Sequence, residues 1–395
     1  MATSFTRLTR ALPRSIHAPR KALSRGLTGL DASKLQVTPT TTPSDIPSPE
    51  TLVFGHQFSD HMAAVEWTAD EGWQTPRILP YQNLSLDPAS SVLHYAFECF
   101  EGMKAYVGTK KELRLFRPDR NMKRFNDSCS RLCLPTFDGK NLTEIIGRLV
   151  KIDKRFVPEQ RGYSLYLRPT MISTQRTLGV GPPGSALLFV IACPVGPYYK
   201  SGFKAVSLEA STSDVRAWPG GVGDRKLGSN YAPSVKPSVE AAGRGFSQVL
   251  WLFGEEAYIT EVGTMNLFFV FQSKETKEKE IVTPPLDGTI LPGVTRDSIL
   301  QLARTRFPDH KISERKFTMH EVKAAAEEGR LLEAFGAGTA VIVSPIKSIS
   351  WKGETIDVPL QSGKEAGPVA EAMYRMITDI QYGDVEHEWG WKIPE

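Results

Sequence analysis

The chain has 395 residues, of which 41% are hydrophobic and 23% are charged, and its formal net charge is +4 at pH 7. This length allows two domains with sizeable cores, because chains beyond about 250–300 residues usually divide. The composition is ordinary for a globular protein and excludes a fibrous or low-complexity chain. Apolar runs such as residues 186–193 are far shorter than the ~18 residues that a membrane span needs. We therefore expect no membrane partner.

The positive charge is concentrated at the N-terminus. Residues 1–30 contain six Lys and Arg residues and no acidic residue, and the rest of the chain carries −2 once these six charges are taken from the total. The body of the protein therefore lacks a basic balance, and we expect no nucleic-acid partner. The segment is rich in Ser and Thr, and Phe5, Leu8 and Leu12 share one face if it is helical. This composition is typical of a mitochondrial presequence, predicted at residues 1–35, and a basic tail without an address is the alternative.

Residues 36–51 are proline-rich and are typical of an extended linker, with the first core-like segment expected at Leu52. Two helices are predicted next. Pro118 suits the first turn of one helix, and Asn141 stands three residues before Glu144, the spacing of a capping box at the start of the other. Strands are predicted around these helices, at residues 62–67, 113–116, 164–172 and 186–193.

The pattern breaks at the Pro-Val-Gly-Pro-Tyr sequence of residues 194–198. Later strands are predicted at 205–208, 248–253, 264–271, 331–335 and 341–343, and later helices near 232–243, 295–306 and 366–380. Short strands in mixed order argue against a single doubly wound parallel sheet. We place a small domain at 52–197, an interdomain loop at 198–204 and a large cofactor-binding domain at 205–395.

The most informative motif is GGVGDRKLGSNY at residues 220–231, in which Lys226 lies in a glycine-rich stretch five residues before Tyr231. A cofactor that forms an imine needs such a primary amine, activated by burial or by a neighbouring positive charge. A single lysine among glycines is by itself more often a solvated side chain in a surface turn. A nucleotide-binding P-loop is the other interpretation, but Arg225 and Leu227 stand where that motif requires Gly before and Ser or Thr after the lysine.

Three downstream motifs complete the pattern. Glu261 interrupts an apolar segment in YITEVGTMNLFF at residues 258–269, and Gly/Thr turns follow in LPGVTRD at 291–297 and AFGAGTA at 334–340. Backbone N–H groups at the start of a helix, with a threonine hydroxyl beside them, can bind a phosphate. A lysine for an imine, a carboxylate for a pyridinium nitrogen and two phosphate-type turns together indicate pyridoxal 5′-phosphate.

In this order the motifs resemble the fold-type-IV pyridoxal-phosphate enzymes, and most closely the branched-chain amino acid aminotransferases of the eukaryotic type. The resemblance extends from Leu52 to Trp389, and it implies an α+β fold with a small α/β domain, a larger pseudo-barrel domain and the cofactor in the cleft between them. It also implies a homodimer. The other matching stretches are LVFG at 52–55, FSDHM at 58–62, LHY at 93–95, FEGMKA at 100–105, RPDRNMKR at 117–124, SLYLRP at 164–169 and IQYG at 380–383.

The resemblance implies a role for each cofactor-binding residue. Lys226 is the catalytic residue, which holds the cofactor and later moves a proton at the substrate Cα. Glu261 keeps the pyridine nitrogen protonated, and Tyr231 donates a hydrogen bond to the cofactor O3′. Arg124 binds the phosphate, because a planar guanidinium suits it better than the ammonium of Lys123. The further phosphate ligands implied are Val294, Thr295 and Thr339.

The implied reaction is reversible transamination of leucine, isoleucine and valine with 2-oxoglutarate, giving branched-chain 2-oxo acids and glutamate, in either biosynthesis or catabolism. The pocket must therefore accept both an aliphatic side chain and a γ-carboxylate. Arg168, which shares a strand face with Tyr166, is the implied donor for the γ-carboxylate. Thr264 and the backbone N–H of Ala340 are implied for the α-carboxylate. The aromatic residues implied for the apolar wall are Phe54, Tyr95, Phe100, Tyr166 and Tyr198, with Tyr95 approaching the active site of the partner subunit.

D-amino acid aminotransferases and aminodeoxychorismate lyases share this fold and cofactor and remain alternatives. The pair of Tyr166 and Arg168 and the length of the match favour the branched-chain aminotransferases. A lyase would release pyruvate without needing an amino acceptor, which separates the two reactions.

The cysteines indicate a reducing compartment. Cys99, Cys129, Cys133 and Cys193 have no metal-ligand spacing, so we expect buried thiols and no metal site. Several animal members of the branched-chain aminotransferase family that this chain resembles carry a Cys-x-x-Cys pair just after the Gly-Thr-Ala turn. Residues 341–344 are Val-Ile-Val-Ser here, so thiol control at that place is in doubt.

Overall fold

The computed structural model of the protein describes residues 28–198 and 203–394. In these two ranges the strands form one sheet of ten strands and one of nine, and no helix is both long and apolar enough to cross a membrane. The helices are α1 (Val92–Tyr95), α2 (Pro118–Arg131), α3 (Gly139–Ile152), α4 (Val235–Gly243), α5 (Val294–Arg306), α6 (Met319–Glu327) and α7 (Pro368–Tyr382).

The two sheets follow each other along the chain. The first sheet contains β1 (Gln36–Val37), β2 (His61–Thr68), β3 (Gly72–Trp73), β4 (Arg77–Pro80), β5 (Glu98–Phe100), β6 (Met103–Val107), β7 (Leu113–Phe116), β8 (Ser164–Ser173) and β9 (Ser185–Val195). The second contains β10 (Val206–Ala210), β11 (Gln248–Phe253), β12 (Tyr258–Val262), β13 (Asn266–Gln272), β14 (Lys279–Thr283), β15 (His310–Glu314), β16 (Leu331–Gly338), β17 (Ile342–Trp351) and β18 (Glu354–Asp357). A last strand, β19 (Gly390–Lys392), returns to the first sheet beside β7.

The first sheet is mainly antiparallel, in the order β1-β4-β2-β9-β8-β6-β7-β19, with β3 paired to β2 and β5 paired to β8. Helices α2 and α3 cover one face and bury apolar side chains such as Phe125 and Ile146 against it. Pro118 occupies the first turn of α2, as predicted. The capping box predicted at Asn141 is wrong, because α3 begins at Gly139 and the carboxylate of Asp138 accepts the capping hydrogen bond from Lys140 N at 2.9 Å.

The folded body begins earlier than the expected start at Leu52. Leu30 is only 4% exposed and lies in the core of the first sheet, and the N–H of Ala32 donates to Asn141 Oδ1 at 2.8 Å. Residues 28–35, predicted to belong to a presequence, therefore pack on the protein. The rest of that predicted presequence, residues 1–27, lies outside the described residues.

The proline-rich stretch at 36–51 is extended, as its composition predicts, but it is anchored to the first sheet. Its first two residues form β1, which pairs with β4. The N–H of Thr40 donates to His61 Nε2 at 2.9 Å, and His61 Nδ1 lies 2.7 Å from a carboxylate oxygen of Asp153. Since Nε2 accepts a hydrogen bond, the proton of the neutral ring is on Nδ1, facing Asp153.

The second sheet curls into an incomplete barrel. Its order is β12-β11-β10-β17-β16-β13-β14-β15, with β18 beside β17, and it mixes parallel with antiparallel pairs. A bridge between Val262 and Met265 brings the edge strand β12 back to β13, so the six strands from β12 to β13 enclose an apolar core. The tight turn between these strands depends on Gly263, whose φ of +55° suits glycine.

Arg117 connects the first sheet and its helices to helix α5. Arg117, at the start of α2, reaches Asp297 on α5 at 2.6 Å and donates to Ser298 Oγ at 2.7 Å. Its guanidinium also lies 4.4 Å from the ring of Trp389, just before β19. The chain passes from the first sheet to the second between the end of β9 and the start of β10, where the sequence predicts a domain junction. The division into a small and a large domain stays a prediction, since β19 crosses back to the first sheet.

Most predicted elements are present with small shifts at their ends. The strand predicted at 341–343 is longer than expected and forms β17, and Thr264 lies in a turn just before β13. The expectation of buried thiols holds for Cys99, Cys129 and Cys193, but Cys133 is exposed.

Candidate active site

A cavity of about 480 Å³ opens between the two sheets. It brings together every residue predicted for the site except Tyr95. The part of the chain before β10 contributes Phe54, Phe100, Arg124, Tyr166, Arg168 and Tyr198. The part after β10 contributes Lys226, Tyr231, Glu261, Thr264, Val294, Thr295, Thr339 and Ala340. These residues are more than 280 positions apart in the sequence at the extremes, so the fold rather than any single motif creates the site.

The amine of Lys226 is held beside a phenol. Its Nζ atom lies 2.9 Å from the hydroxyl of Tyr231, and it is 4.8 Å from the centre of the Phe100 ring. The backbone of the lysine is fixed on both sides, because its N–H donates to Ser128 Oγ at 2.9 Å and its carbonyl accepts from Phe100 N at 3.0 Å. The amine therefore reaches into the cavity from a rigid base.

Glu261, near the end of β12, is buried among donors. Arg216 Nε lies 2.8 Å from its carboxylate, and the amide of Asn266 and the N–H of Leu291 donate to it at 2.9 and 3.0 Å. Burial raises the pKa of the Glu261 carboxyl, while the positive charge of Arg216 and the Leu291 N–H limit that rise. Sequence reasoning missed Arg216, which no motif connects to Glu261.

Arg124, on α2, is held by a buried carboxylate. Its Nε and Nη2 atoms donate to Glu101 at 2.7 and 2.8 Å, and its Nη1 donates to the carbonyl of Pro292 at 3.2 Å. Glu101 is fully buried and also accepts from Asn121 at 2.8 Å. The sequence contains Glu101 in the FEGMKA motif, but it gives no sign that this residue orients Arg124.

Helix α5 points its N-terminus at the same end of the cavity. Its N-cap residue is Gly293, which supplies no side-chain cap, so the first N–H groups, at Val294 and Thr295, are left for another partner. The hydroxyl-bearing Thr339 lines the cavity on the turn between β16 and β17. An uncapped helix start, a fixed guanidinium and threonine side chains form a donor set that suits a phosphate.

The turn that carries Thr339 is supported from behind by a buried lysine. Lys104 Nζ donates to the carbonyl of Ala340 at 2.8 Å. Burial lowers the pKa of Lys104 to about 8. This contact fixes the peptide bond between Ala340 and Val341, just after Thr339, and the prediction from sequence did not include it.

Aromatic side chains also line the cavity. The Phe54 ring centre lies 4.8 Å from that of Tyr166 and 5.6 Å from that of Tyr198. Arg168 donates to the Tyr166 hydroxyl at 3.1 Å and lies 4.6 Å above the Phe100 ring. Its buried Nε has no hydrogen-bond partner among the described residues. One wall thus combines apolar surface with a cation that can accept an anionic ligand.

Tyr95 lies outside this cavity, at the end of the short helix α1. Its ring is exposed, and its hydroxyl donates to the carbonyl of Leu178. The side chain of Leu93, two residues before Tyr95, is also exposed, and so are those of Leu178 and Val180. The aromatic side chain of Trp218 is likewise exposed and does not line the cavity.

The donor set fits pyridoxal 5′-phosphate. The cavity is lined by an amine, a buried carboxylate and a set of phosphate donors, and these are the groups that this cofactor requires for its carbonyl carbon, its ring nitrogen and its phosphate. The incomplete barrel beside an antiparallel sheet, with such a site between them, is the architecture of the fold-type-IV enzymes.

Comparisons with known proteins agree with this geometry. The family model "Amino-transferase class IV" matches residues 98–349. The cytosolic branched-chain-amino-acid aminotransferase of Saccharomyces cerevisiae is 59% identical over 364 residues, covering 91% of this chain and 96% of that protein. The mitochondrial enzyme of the same yeast is 57% identical, covering 91% and 92%.

Solved structures show the same fold. The T.th. branched-chain amino acid aminotransferase with pyridoxamine 5′-phosphate superposes with a TM-score of 0.65 at 27% identity, covering 84% of this chain and 99% of that one. The Escherichia coli enzyme gives a TM-score of 0.68 at 24% identity, over 84% and 99% of the two chains. The chain belongs to the class IV aminotransferases, within the branched-chain amino acid aminotransferase family.

Proposed function

We propose that this protein is a pyridoxal-phosphate-dependent aminotransferase that exchanges the amino group of leucine, isoleucine or valine with 2-oxoglutarate, giving the branched-chain 2-oxo acid and glutamate. The observation that carries this proposal is one cavity that combines the Lys226–Tyr231 pair, the buried Glu261 and the Arg168 cation beside an aromatic wall. The names of the yeast relatives support the same activity.

The geometry of the cavity supports the following roles for the cofactor-binding residues. Arg124, the N-terminus of α5 at Val294 and Thr295, and Thr339 would hold the phosphate. Glu261 would face the ring nitrogen, and Tyr231 would donate to the oxygen on the ring. When bound, pyridoxal phosphate supplies an electron sink that stabilises the carbanion at the substrate Cα.

Lys226 would hold the cofactor through its amine at rest, and its Nζ would also serve as the base and acid that moves the proton of the substrate Cα. The Tyr231 hydroxyl, 2.9 Å from Nζ, and the fixed backbone of Lys226 orient this amine in the cavity. Positioning of this kind is a large part of enzymatic rate enhancement.

Substrate binding divides between the two ends of the pocket. Thr264 and the N–H of Ala340 bind the α-carboxylate, and Lys104 holds the next peptide bond, between Ala340 and Val341, through the Ala340 carbonyl. Phe54, Phe100, Tyr166 and Tyr198 enclose an aliphatic side chain. With glutamate or 2-oxoglutarate, Arg168 binds the γ-carboxylate directly or through Tyr166.

We further propose that the protein acts as a homodimer in which Tyr95 approaches the active site of the other subunit. This proposal is supported by the exposed ring of Tyr95 and the exposed aliphatic side chains of Leu93, Leu178 and Val180. Exposed apolar side chains that cluster commonly belong to an interface. Light scattering of the purified protein tests the stoichiometry, and a mass of one chain would contradict it.

The proposed location is the mitochondrial matrix. The support is the basic, acid-free composition of the N-terminus, since the yeast relatives include both a mitochondrial and a cytosolic protein. A fluorescent reporter fused after residues 1–27 should enter mitochondria, and replacing its arginines should abolish import. A reporter that stays diffuse would contradict the location without affecting the enzymatic proposal.

The visible spectrum of the purified holoenzyme tests cofactor and reaction together. We expect a yellow absorbance band that bleaches when leucine is added and returns with 2-oxoglutarate. A band that leucine does not bleach would contradict the proposed reaction. Release of pyruvate without an amino acceptor would instead indicate a lyase.

A further inference from the structure

One carboxyl group in the cavity has no part in the chemistry above. Glu98 lies on β5 and its side chain lines the cavity. β5 pairs with β8 so that Glu98 is opposite Ile172 and Phe100 is opposite Thr170. Because side chains alternate along a strand, Glu98, Phe100 and Arg168 all project from the same face of the sheet.

The absence of a side chain at Gly228 leaves room for the Glu98 carboxyl group. A Cβ atom at residue 228 would overlap Glu98 Oε1, so a residue larger than glycine there would force the carboxyl group to move. Gly228 follows Lys226 by two residues, and Glu98 therefore lies against the segment that carries the catalytic amine. A surface carboxylate would not need such a close fit to the backbone.

Glu98 and Arg168 act on each other electrostatically. Burial raises the pKa of the Glu98 carboxyl, and the guanidinium of Arg168 offsets part of that rise. Arg168 in turn has a buried Nε without a hydrogen-bond partner among the described residues, and its guanidinium lies over the Phe100 ring. The carboxyl group and the guanidinium are thus opposite charges on the same wall.

Arg168 has to serve two unlike substrates. A γ-carboxylate brings its own counter-charge, whereas an aliphatic side chain covers the guanidinium and removes water from it. A buried cation without a counter-charge is costly. A carboxylate already present near Arg168 reduces that cost when leucine is bound, and it repels the γ-carboxylate of glutamate when that is bound.

We propose that Glu98 is a specificity-determining residue that sets the balance between branched aliphatic and dicarboxylic substrates, by acting as the counter-charge of Arg168 when an aliphatic side chain fills the pocket. This inference rests on the proposed function, since it assumes that both kinds of substrate enter this cavity. It predicts opposite effects on the two substrates when the charge of Glu98 is removed.

The test uses Glu98→Gln, which keeps the shape of the side chain and removes its charge. Leucine and glutamate are titrated separately against the holoenzyme, and the bleaching of the cofactor band gives an apparent dissociation constant and a maximal rate for each. We expect the constant for glutamate to fall about three- to tenfold and that for leucine to rise, because one Coulomb interaction at partly screened range is worth roughly that factor. Glu98→Asp, which keeps the charge, should give a ratio of the two constants close to that of the wild type.

A purely structural role for Glu98 would shift both constants in the same direction or lower both maximal rates together, and either result would overturn the inference. An unchanged ratio in Glu98→Gln would also overturn it. If Glu98→Gln folds poorly, as judged from its melting temperature, Glu98→Ser must give the same change in ratio. Failure of the proposed function is distinguishable, because the wild-type band would then not bleach with leucine at all.

Discussion

The carboxylate of Glu101 accepts hydrogen bonds from both Nε and Nη2 of Arg124, at 2.7 and 2.8 Å, and this ion pair is almost wholly buried. Asn121, one turn earlier on α2, donates to the same carboxylate at 2.8 Å, so the acid is fixed from a second side. The remaining nitrogen of Arg124 reaches Pro292, beside the N-terminus of α5. Glu101 therefore determines where the guanidinium points at the phosphate end of the cavity.

Replacing Glu101 with Gln should weaken cofactor binding by at least tenfold and lower the stability of the protein. Removing one partner of a buried ion pair costs about 3–5 kcal/mol, because the other charge stays buried. Titration of the cofactor-free protein with pyridoxal phosphate measures the affinity. As a control, Lys123→Gln removes an exposed ion pair with Asp127 on the same helix and should change neither quantity. Unchanged affinity in Glu101→Gln would show that Arg124 is oriented without it.

Replacing Lys226 with Ala should abolish transamination, since no other amine lines the cavity in the described part of the chain. The protein should still fold and bind the cofactor through its phosphate contacts. Steady-state assays with leucine and 2-oxoglutarate measure the loss, and the melting temperature checks the fold. Lys236→Ala, which removes an exposed lysine paired with Glu240, should retain full activity. Turnover of Lys226→Ala within tenfold of wild type would place the catalytic amine elsewhere.

Replacing Arg216 with Met should move the acidic limb of the pH–rate profile to higher pH. Burial already raises the pKa of Glu261, and Arg216 is the main group that limits the rise. The reaction needs the ionised carboxylate, so activity is lost as the pH falls through this pKa, and a higher pKa brings the loss earlier. Glu261→Gln should slow the reaction about 100-fold, the usual cost of one such electrostatic contact, and should lack this limb. A profile of Arg216→Met that coincides with wild type would contradict the role of Arg216.

The sequence predicts the parts of the site that lie in continuous motifs. Lys226 with Tyr231, and the glycine–threonine turns at 291–297 and 334–340, are recognisable because a few adjacent residues carry each function. Arg216 and the orienting role of Glu101 are not predictable in this way, because their partners are brought to them only by tertiary structure. The wrong capping residue on α3 has a local cause. Asp138 and Asn141 are both good caps, but Asn141 Oδ1 accepts a hydrogen bond from Ala32 N, and the carboxylate of Asp138 caps the helix.

The closure of the second sheet has a similar explanation. Strand positions follow from apolar runs, but the pairing of β10 with β17 joins residues about 140 positions apart, and no local pattern specifies that register. The sequence does not indicate the early start of the folded body, because the buried side chain of Leu30 lies in a segment whose composition is otherwise that of a targeting peptide.

Replacing Arg168 with Ala should reduce turnover of 2-oxoglutarate and glutamate at least tenfold, while turnover of 4-methyl-2-oxopentanoate changes less than threefold. A hydrogen bond to a charged group contributes about 1.5–3 kcal/mol, and only the dicarboxylates make one here. The ratio of kcat/KM for the two oxo acids is the measurement. Tyr166→Phe, which removes the hydroxyl 3.1 Å from Arg168 and keeps the ring, tells whether the contact is relayed. Equal losses for both substrates would mean that Arg168 is structural.

A chain that begins at Thr28 should be as stable and as active as the full-length protein, whereas a chain that begins at Thr38 should be destabilised by about 2–5 kcal/mol, the range measured when a buried leucine is removed from a core. The longer truncation deletes Leu30 from the core of the first sheet. It also deletes Thr28, whose backbone carbonyl accepts from Trp73 N at 2.9 Å and whose hydroxyl donates to Trp73 O at 2.8 Å.

Urea unfolding of both truncated proteins measures this difference, and leucine transamination shows whether the active site survives it. Leu30→Ala in the full-length chain separates the contribution of the side chain from that of the lost backbone contacts, and it should account for much of the destabilisation. Equal stability of the two truncated chains would contradict the assignment of residues 28–37 to the folded body. It would also leave the full stretch of residues 1–35 available as a removable targeting segment.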